Sequence, residues 1–393
     1  MNFFLERISF LQKNIKANNI DAVLLSYSRS SFYYAGTTHP VILIITPNDC
    51  HMLIIRGLPL VMAETTFSTD KISQGRGYKD VKKILLKIGV KSGNLALELD
   101  ILHADQYLQI KRIFSEFKIV DIAPLIFNQR RIKSTLEINF TKEACRINHC
   151  GHLRILEVLR EGMTELELSA EIERAHRKAG HEGYNFMRGF DIYMGTGILS
   201  SGNNLSKIAG KIGTLTGVGL SPSIPMGPSN KIIQKGEMIV ADFATHHNGY
   251  HSDQSRTYVL GKPSSGCVSL YNGMKEIADR IIDILKPGMK CDHIYKTAFE
   301  IADQLGLEPY FMRLGNESKP VTFIGHGVGL EVNEPPLISK TNNETIEEGM
   351  VLALELEMRG SAGEVVKLED TILVRSNGVE ILTLSPRTLF QID

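Results

Sequence analysis

The stretch GMVLALE, Gly349–Glu355, repeats a pattern that occurs earlier in the chain as GEMIVAD, Gly236–Asp242. In each stretch an acidic residue ends an apolar run, six positions after the glycine. Another strand-like stretch follows each one and carries a second acid, Asp253 in GYHSDQSRTYVLG and Glu369 in VVKLEDTILV. Each half therefore supplies two carboxylates from a hairpin, and a pseudo-twofold arrangement would bring all four together. Chance similarity between two short motifs is the alternative.

The segments before these hairpins also repeat. LREGM, Leu159–Met163, is matched by LKPGM, Leu285–Met289, and in both copies another glycine follows 18 positions after the first, at Gly180 and Gly306. This spacing predicts a glycine-entered helix of similar length in each half. In the first copy Thr164 opens a Thr-x-x-Glu capping box, which marks the helix start.

The first third of the chain has a different pattern. The runs DAVLLS, VILIITP, HMLIIR and LALELD are typical of strands, and residues 1–18, 79–89 and 103–116 have helical periodicity. The pattern changes around FNQRRIKS, residues 127–134, to long helices followed by hairpins. We therefore predict an α/β domain over residues 1–130 and an α+β domain over residues 131–393.

Composition supports two domains and limits the partners. A chain of 393 residues that is 43% hydrophobic is long enough for two cores, because single cores stop growing at about 250 to 300 residues. Lysine plus arginine equals aspartate plus glutamate at 44 each, so no net field attracts nucleic acid or an anionic membrane. We expect a short peptide or a small molecule as ligand, and neither nucleic acid nor membrane as partner.

The cysteines and the N-terminus indicate the compartment. The five cysteines are odd in number and scattered without a CxxC pair, which argues against a disulfide framework and a structural zinc site. Glu6 and Arg7 interrupt the apolar N-terminal residues, and no stretch approaches the ~18 apolar residues of a membrane span. We expect a cytoplasmic protein.

Four carboxylates on one sheet require cations. Like charges a few ångströms apart raise each other's pKa, and burial adds a desolvation penalty. His326, in FIGHGVGLEVNEPP, adds one imidazole nitrogen to the set. Such an oxygen-rich site suits Mn²⁺, Co²⁺, Fe²⁺ or Zn²⁺, and two such ions about 3.5 to 4 Å apart can hold a bridging hydroxide. The sequence predicts two divalent metal ions.

Five blocks carry a resemblance to a known family. ADF with YHSDQSRT, then GHGVGLEVNEPP, GMVLALELE and KLEDTILV, resemble in order the metal-binding blocks of the pita-bread metallopeptidases. This superfamily includes methionine aminopeptidase, Xaa-Pro aminopeptidase, prolidase and creatinase. The resemblance runs from about Arg131 to Pro386, and the preceding segment resembles the creatinase-type N-terminal domain. It implies a pita-bread fold with a pseudo-twofold repeat over residues 131–393, and a homodimer.

The resemblance also implies a role for each ligand. Asp242 would chelate one metal ion, His326 and Glu355 would bind the other, and Asp253 and Glu369 would bridge the two. Glu355 would in addition act as the general base toward the bridging water. The glycines at 325, 327 and 329 would let the backbone approach the metal cluster and leave room for substrate.

The chain departs from the family at two histidines. Family peptidases have a histidine where this chain has Asn333, and another in the loop that here contains Met226. An asparagine amide can donate to a developing oxyanion but cannot exchange protons near neutral pH. Asn333 could instead satisfy a hydrogen bond of a turn.

His251, two residues before Asp253 on the same strand face, is the best candidate for a proton-shuttle or supporting role.

Other polar residues near the metal blocks are weaker candidates. His246 and His247 are better interpreted as ordinary loop histidines. Arg188, in FMRGFDIYMG, either lines the substrate pocket or only packs.

Three functions follow from these observations. The leading hypothesis is a dinuclear metallohydrolase of amide C–N bonds, acting on short peptides as an Xaa-Pro aminopeptidase or dipeptidase. The second keeps the fold and the metals but cleaves a small nitrogenous metabolite, as creatine- or ectoine-cleaving relatives do, and the absent histidines favour it. The third is a non-catalytic binding module, against which the complete ligand set argues.

Overall fold

The computed structural model describes residues 3–189, 191–195, 197–210, 213–313 and 320–393. The chain forms two compact units, Met1–Arg130 and Arg131–Asp393. Over these described ranges, none of the helices is long and apolar enough to cross a membrane. All five cysteines are free thiols, and three of them are buried.

The first unit contains a six-stranded sheet with helices in its connections. Its elements are α1 (Phe3–Ala17), β1 (Ala22–Leu25), α2 (Ser28–Ala35), β2 (Val41–Ile45), β3 (Cys50–Ile54), α3 (Leu58–Glu64), β4 (Ile72–Gln74), α4 (Tyr78–Lys87), β5 (Gly93–Leu97), α5 (Ala104–Ile113), β6 (Phe117–Asp121) and α6 (Ala123–Arg130). The strand order is β4-β3-β2-β1-β5-β6, which mixes antiparallel and parallel pairs. The four apolar runs quoted from the sequence form β1, β2, β3 and β5, so the α/β prediction is confirmed.

The second unit is built on a nine-stranded sheet. Its elements are α7 (Thr135–Val158), α8 (Glu165–Ala179), β7 (Gly197–Ser201), β8 (Met238–His247), β9 (Tyr250–Leu260), α9 (Ser265–Ile284), α10 (Cys291–Gln304), β10 (Phe323–Gly327), β11 (Glu334–Ser339), β12 (Val351–Arg359), β13 (Val365–Arg375), β14 (Gly378–Ile381) and β15 (Phe390–Ile392). The main path is β11-β10-β12-β13-β9-β8-β7, while β14 pairs with β13 and β15 pairs with β9.

This strand order contains the predicted internal repeat. The hairpins β8–β9 and β12–β13 lie side by side through the β9–β13 pair. Strand β7 lies outside the first hairpin and β10 outside the second, with β11 beyond β10. In the first half α7 contacts β8 and β9, and in the second half α9 contacts β12 and β13. The pseudo-twofold α+β fold is therefore confirmed.

The helix boundaries follow from capping residues. Thr164 accepts a hydrogen bond from the Glu167 backbone N–H, and the Glu167 carboxylate accepts one from the Thr164 backbone N–H, which is the predicted capping box of α8. The same helix ends at Gly180, whose φ of 111° favours glycine. Ser134 and Glu137 form a second capping box at the start of α7. These caps fix the helices against the sheet.

The two faces of the large sheet differ in chemistry. Apolar side chains such as Leu354, Leu368 and Ala241 point to the helices and form the core. Successive strand residues alternate between faces, so Glu355, Glu369 and Asp242, each one position away from these apolar residues, point to the opposite face. The helices therefore support a sheet whose other face carries the acids.

Candidate metal centre

Four strands place acidic residues in one row across the sheet. Asp242 of β8 pairs with Ser255 of β9, Ser255 pairs with Glu369 of β13, and Glu369 pairs with Glu355 of β12. Asp253 lies two residues from Ser255 on the same strand and therefore on the same face. The structure thus brings together the four carboxylates that the sequence placed in two separate hairpins.

His326 joins this row from β10, the neighbour of β12. Its Nε2 lies 3.6 Å from Glu355 Oε1, 3.9 Å from Asp253 Oδ2 and 4.0 Å from Glu369 Oε1. Its Nδ1 lies 3.1 Å from the Gly327 carbonyl oxygen, which only accepts, so Nδ1 carries the proton. The Nε2 lone pair is therefore directed at the carboxylates, as a metal ligand requires.

The electrostatics of the row favour a bound cation. Burial and the neighbouring Asp242 raise the pKa of Asp253 well above its usual value, and burial and Asp253 do the same for Glu369. Asp253 Oδ1 is buried and accepts no hydrogen bond. One ligand atom each from Asp253, His326 and Glu369 lies within 4.8 Å of the others. A divalent cation fits these residues because it would satisfy the unpaired oxygen and offset the repulsion.

Lys367 is part of the site, and sequence reasoning missed it. Its Nζ lies 2.7 Å from Asp242 Oδ2, 2.9 Å from Glu355 Oε2 and 3.4 Å from Glu369 Oε2. Burial lowers its pKa, but these carboxylates outweigh burial and raise it well above the ordinary value. The signal was available, because Lys367 precedes Glu369 by two residues and must share its face.

The carboxylates respond to this lysine in different ways. Burial raises the pKa of Glu355, but the nearby Lys367 and His326 outweigh burial and lower it below the ordinary value. Burial raises the pKa of Glu357, which pairs with Lys367 in the strand register, to about 8. Glu355 is thus held ionised at the centre of the site, while the unrecognised Glu357 forms a buried acid beside it.

His251 makes contacts that fix one neutral form. Its Nδ1 donates to the Gly329 carbonyl at 3.0 Å, and its Nε2 accepts from the Phe186 backbone N–H at 3.2 Å. Since one partner only accepts and the other only donates, the ring is the neutral Nδ1–H tautomer. The shuttle role stays a prediction, and these hydrogen bonds favour a positioning role instead.

The two weaker histidine candidates, His246 and His247, differ in their surroundings. His246 is buried, with its ring centroid 4.7 Å from that of His251 and 4.8 Å from that of His181. It is therefore part of a packed histidine cluster and not the loop residue that we expected. His247 lies at the end of β8, within hydrogen-bond distance of Asn248, as expected for a turn.

A cleft of about 150 Å³ opens over the acids. Asn333 lines it together with the five candidate metal ligands, and its catalytic role stays a prediction. Six apolar side chains also line it, Met187, Ile192, Met194, Ile198, Phe323 and Val332. The cleft thus combines a charged floor with an apolar wall.

Two other residues discussed from the sequence lie elsewhere, Met226 in the loop that lacks a family histidine and Arg188. Met226 lines a neighbouring cleft of about 360 Å³ together with Tyr193 and Pro225. Arg188 Nη1 lies 3.9 Å from Glu331 Oε1, and both side chains are buried, which favours the packing interpretation. Phe190 of the same motif lies outside the described residues.

The glycines around His326 lie close to neighbouring backbone and side-chain atoms. A Cβ on Gly325 would lie 2.3 Å from the Ala353 carbonyl oxygen, and one on Gly327 would lie 2.5 Å from the Pro335 carbonyl oxygen. A Cβ on Gly329 would lie 2.7 Å from the Glu334 carboxylate. The glycines therefore allow close packing of neighbouring backbone and side chains, and their role toward the metal stays a prediction.

Comparisons with known proteins agree with this geometry. Residues 139–376 match metallopeptidase family M24, and residues 7–132 match the creatinase/prolidase N-terminal domain. An Xaa-Pro dipeptidase of Pyrococcus furiosus is 28% identical over 98% of this chain and 99% of its own length. Among solved structures, the Xaa-Pro dipeptidase from Bacillus anthracis has a TM-score of 0.84 at 26% identity, covering 99% of this chain and 100% of its own. The X-Pro aminopeptidase from Thermotoga maritima MSB8 has a TM-score of 0.80 at 26% identity, covering 98% and 99%.

A repeated sheet that presents carboxylates and one histidine to a cleft defines a metal-dependent hydrolase. The chain belongs to metallopeptidase family M24 and has the N-terminal domain of the creatinase/prolidase type. The predicted family and the prediction of a metallopeptidase enzyme are confirmed, and the non-catalytic binding module is not supported. The family uses divalent metal ions, and the Asp253, His326 and Glu369 set fits one.

Proposed function

We propose that this chain hydrolyses the amide bond before proline in short peptides, as an Xaa-Pro dipeptidase or aminopeptidase. The observation that carries the proposal is that the carboxylate row and His326 line the floor of one cleft. Relatives that share nearly the full length of the chain are an Xaa-Pro dipeptidase and an X-Pro aminopeptidase. The apolar wall of the cleft suits a prolyl ring.

Asp253, His326 and Glu369 would hold the metal ion. When bound, a divalent ion supplies Lewis acidity toward the scissile carbonyl and lowers the pKa of water. Thr371 keeps Asp253 in place, because its hydroxyl accepts from the Asp253 backbone N–H at 2.8 Å and donates to the Asp253 carbonyl at 2.8 Å. These hydrogen bonds tie β9 to β13 beside the ligands.

Glu355 would act as the general base. It is ionised, and its Oε1 faces His326 while its Oε2 faces Lys367. The carboxylate takes one proton from the attacking water and gives it to the leaving proline nitrogen, so that a C–O bond replaces the C–N bond. Asn333 would donate its amide N–H to the oxyanion that develops on the carbonyl.

Further properties stay proposals. The resemblance implies two ions of Mn²⁺, Co²⁺, Zn²⁺ or Fe²⁺, with Asp242 chelating the second and Asp253 and Glu369 bridging. A homodimer and a cytoplasmic location are proposed on the same resemblance and on composition. We also propose that residues 1–130 and residues 131–393 are separate domains.

The test is a substrate panel on protein loaded with Mn²⁺, Co²⁺ or Zn²⁺. It contains Xaa-Pro dipeptides, tripeptides of the Ala-Pro-Ala type and creatine-like metabolites. Asp253→Asn removes a ligand charge, and Asp303→Asn, at an exposed helix end, is the matched control. We expect metal-dependent release of proline-containing products that Asp253→Asn abolishes and Asp303→Asn retains.

A second candidate function is hydrolysis of a small nitrogenous metabolite. Asn333 favours it, because the histidine typical of family peptidases is absent from this position of the cleft. Cleavage of the metabolites without cleavage of any peptide in the panel would establish this candidate and overturn the peptidase proposal.

A further inference from the structure

We propose that the Lys367 ammonium occupies the second cation position of the site, so that the chain binds one divalent ion. This inference rests on the proposed function and changes the number of metal ions in the site from two to one. The ion would be held by Asp253, His326 and Glu369, and the lysine would neutralise Asp242. The proposal concerns a residue of this chain that the metal-binding blocks did not single out.

The ammonium is fully engaged. A lysine Nζ has three donor hydrogens. Three acceptors lie within hydrogen-bond distance, Asp242 Oδ2 at 2.7 Å, Thr214 Oγ1 at 2.7 Å and Glu355 Oε2 at 2.9 Å. They come from both halves of the repeat, since Asp242 is on β8 and Glu355 is on β12. The lysine thus links the two halves, as a second ion would.

Burial and backbone hydrogen bonds hold the Lys367 side chain in this position. Its side chain is 1% exposed. Its backbone N–H donates to Thr257 Oγ1 at 2.9 Å, and the Thr257 hydroxyl donates to its carbonyl at 2.8 Å. The Lys367 backbone is therefore held in the sheet by Thr257, and all three donor hydrogens of its Nζ have acceptors. Moving it would leave a buried charge without partners, which is strongly unfavourable.

The position of the ammonium also opposes a second ion at Asp242. Metal–oxygen bonds to carboxylates are about 2.0 to 2.2 Å long. An ion bonded to Asp242 Oδ2 would lie within about 4.9 Å of Nζ, because Nζ is 2.7 Å from that oxygen. Two buried cations at that separation repel each other, so the lysine disfavours a second ion at Asp242. The other oxygen of Glu355 still faces His326, at 3.6 Å from Nε2, and is available to the first ion.

The proposal is tested by counting ions. Full-length protein is stripped of metal and titrated with Mn²⁺, and bound ions per chain are counted by native mass spectrometry and calorimetry. We expect one ion for the wild type and two for Lys367→Met, which keeps the length of the stem and removes the charge. Lys340→Met, at an exposed lysine, is the matched control and should bind one.

Asp242→Asn keeps the test decisive if Lys367→Met does not fold. When the lysine holds the second position, this isosteric change leaves the count at one. When two ions bind, it removes the chelating carboxylate and lowers the count from two. Two ions on the wild type, with one lost in Asp242→Asn, would overturn the proposal.

The two proposals fail in different ways. Two ions together with metal-dependent cleavage before proline would overturn the inference about Lys367 and leave the proposed function standing. One ion without any cleavage of the substrate panel would overturn the proposed function and support the lysine assignment. A wild type that binds no Mn²⁺ would overturn both.

Discussion

The guanidinium of Arg256 donates to Asp370 Oδ1 at 2.6 Å, on the face of the sheet opposite to the carboxylate row. It also donates to the Glu369 carbonyl at 2.6 Å and to the Ser385 carbonyl at 2.7 Å. Arg256 belongs to β9, whereas Asp370 and Glu369 belong to β13. The two halves of the repeat are therefore joined by a buried ion pair on the face of the sheet behind the carboxylate row.

Breaking this ion pair should destabilise the protein strongly. Asp370→Asn leaves Arg256, and Arg387 which pairs with the other carboxylate oxygen, without their shared anion. We expect a loss of about 3–5 kcal/mol in unfolding free energy, measured by urea denaturation. Glu380→Gln is the control, because Glu380 makes its ion pairs at the surface, and should change stability by at most about 1 kcal/mol. Equal effects of the two substitutions would contradict the role assigned to Arg256.

Buried histidines should make stability depend on pH. Burial lowers the pKa of His152, His176 and His181 to about 4. In the unfolded chain a histidine has a pKa of about 6.5, so the unfolded state binds more protons below that pH. The stability these residues contribute is present above pH ~6.5 and is lost as pH falls toward ~4, by up to about 1.4 kcal/mol per pH unit for each histidine.

The measurement is the slope of unfolding free energy against pH over this window. His176→Gln removes one of the three groups, and we expect a shallower slope than for the wild type. An unchanged slope would show that His176 does not titrate in the way its burial implies. His293→Gln, at an exposed histidine, should leave the slope as it is.

The sequence predicted those parts of the site that depend on local spacing. The period of two along a strand put Asp253 and Glu369 on defined faces, and the repeat placed the two hairpins side by side. Lys367 obeys the same period, but lysines are almost always exposed, so only its neighbours across the strands reveal its role. Those neighbours, Asp242 and Thr214, are far from it in sequence.

His251 shows the same limit. Strand alternation indicated which face His251 occupies. The hydrogen-bond partners of its two ring nitrogens, the Gly329 carbonyl and the Phe186 backbone N–H, come from distant parts of the sequence and meet the ring only in the folded chain. A tertiary contact of this kind leaves no local pattern in the sequence. The sequence therefore suggested a proton-shuttle role for His251, whereas the structure favours a positioning role.

His251→Phe separates these two roles. The substitution keeps a ring in the space but removes the ring hydrogen bonds to the Gly329 carbonyl and from the Phe186 backbone N–H, and we expect a loss of about 1–3 kcal/mol in unfolding free energy. The pH dependence of kcat should keep its shape. A proton shuttle would instead change the pH–rate profile, and that result would contradict the positioning role.

Asn333 should matter in the transition state more than in substrate binding. Asn333→Ala removes the amide donor, and we expect kcat to fall roughly hundredfold with little change in KM, measured on an Xaa-Pro dipeptide. Asn333→Asp is the matched variant, since it can still satisfy a turn as an acceptor but its carboxylate does not donate. If Asn333→Asp retained full activity, Asn333 would serve only the turn.

The most direct test is the initial rate of proline release from an Xaa-Pro dipeptide before chelation, after chelation and after reloading with Mn²⁺. The wild type should lose its activity on chelation and regain it with metal, whereas His326→Ala should not regain it, because the ligand nitrogen is absent. Turnover that survives chelation, or that metal restores equally in His326→Ala, would contradict a metal-dependent peptidase at this site.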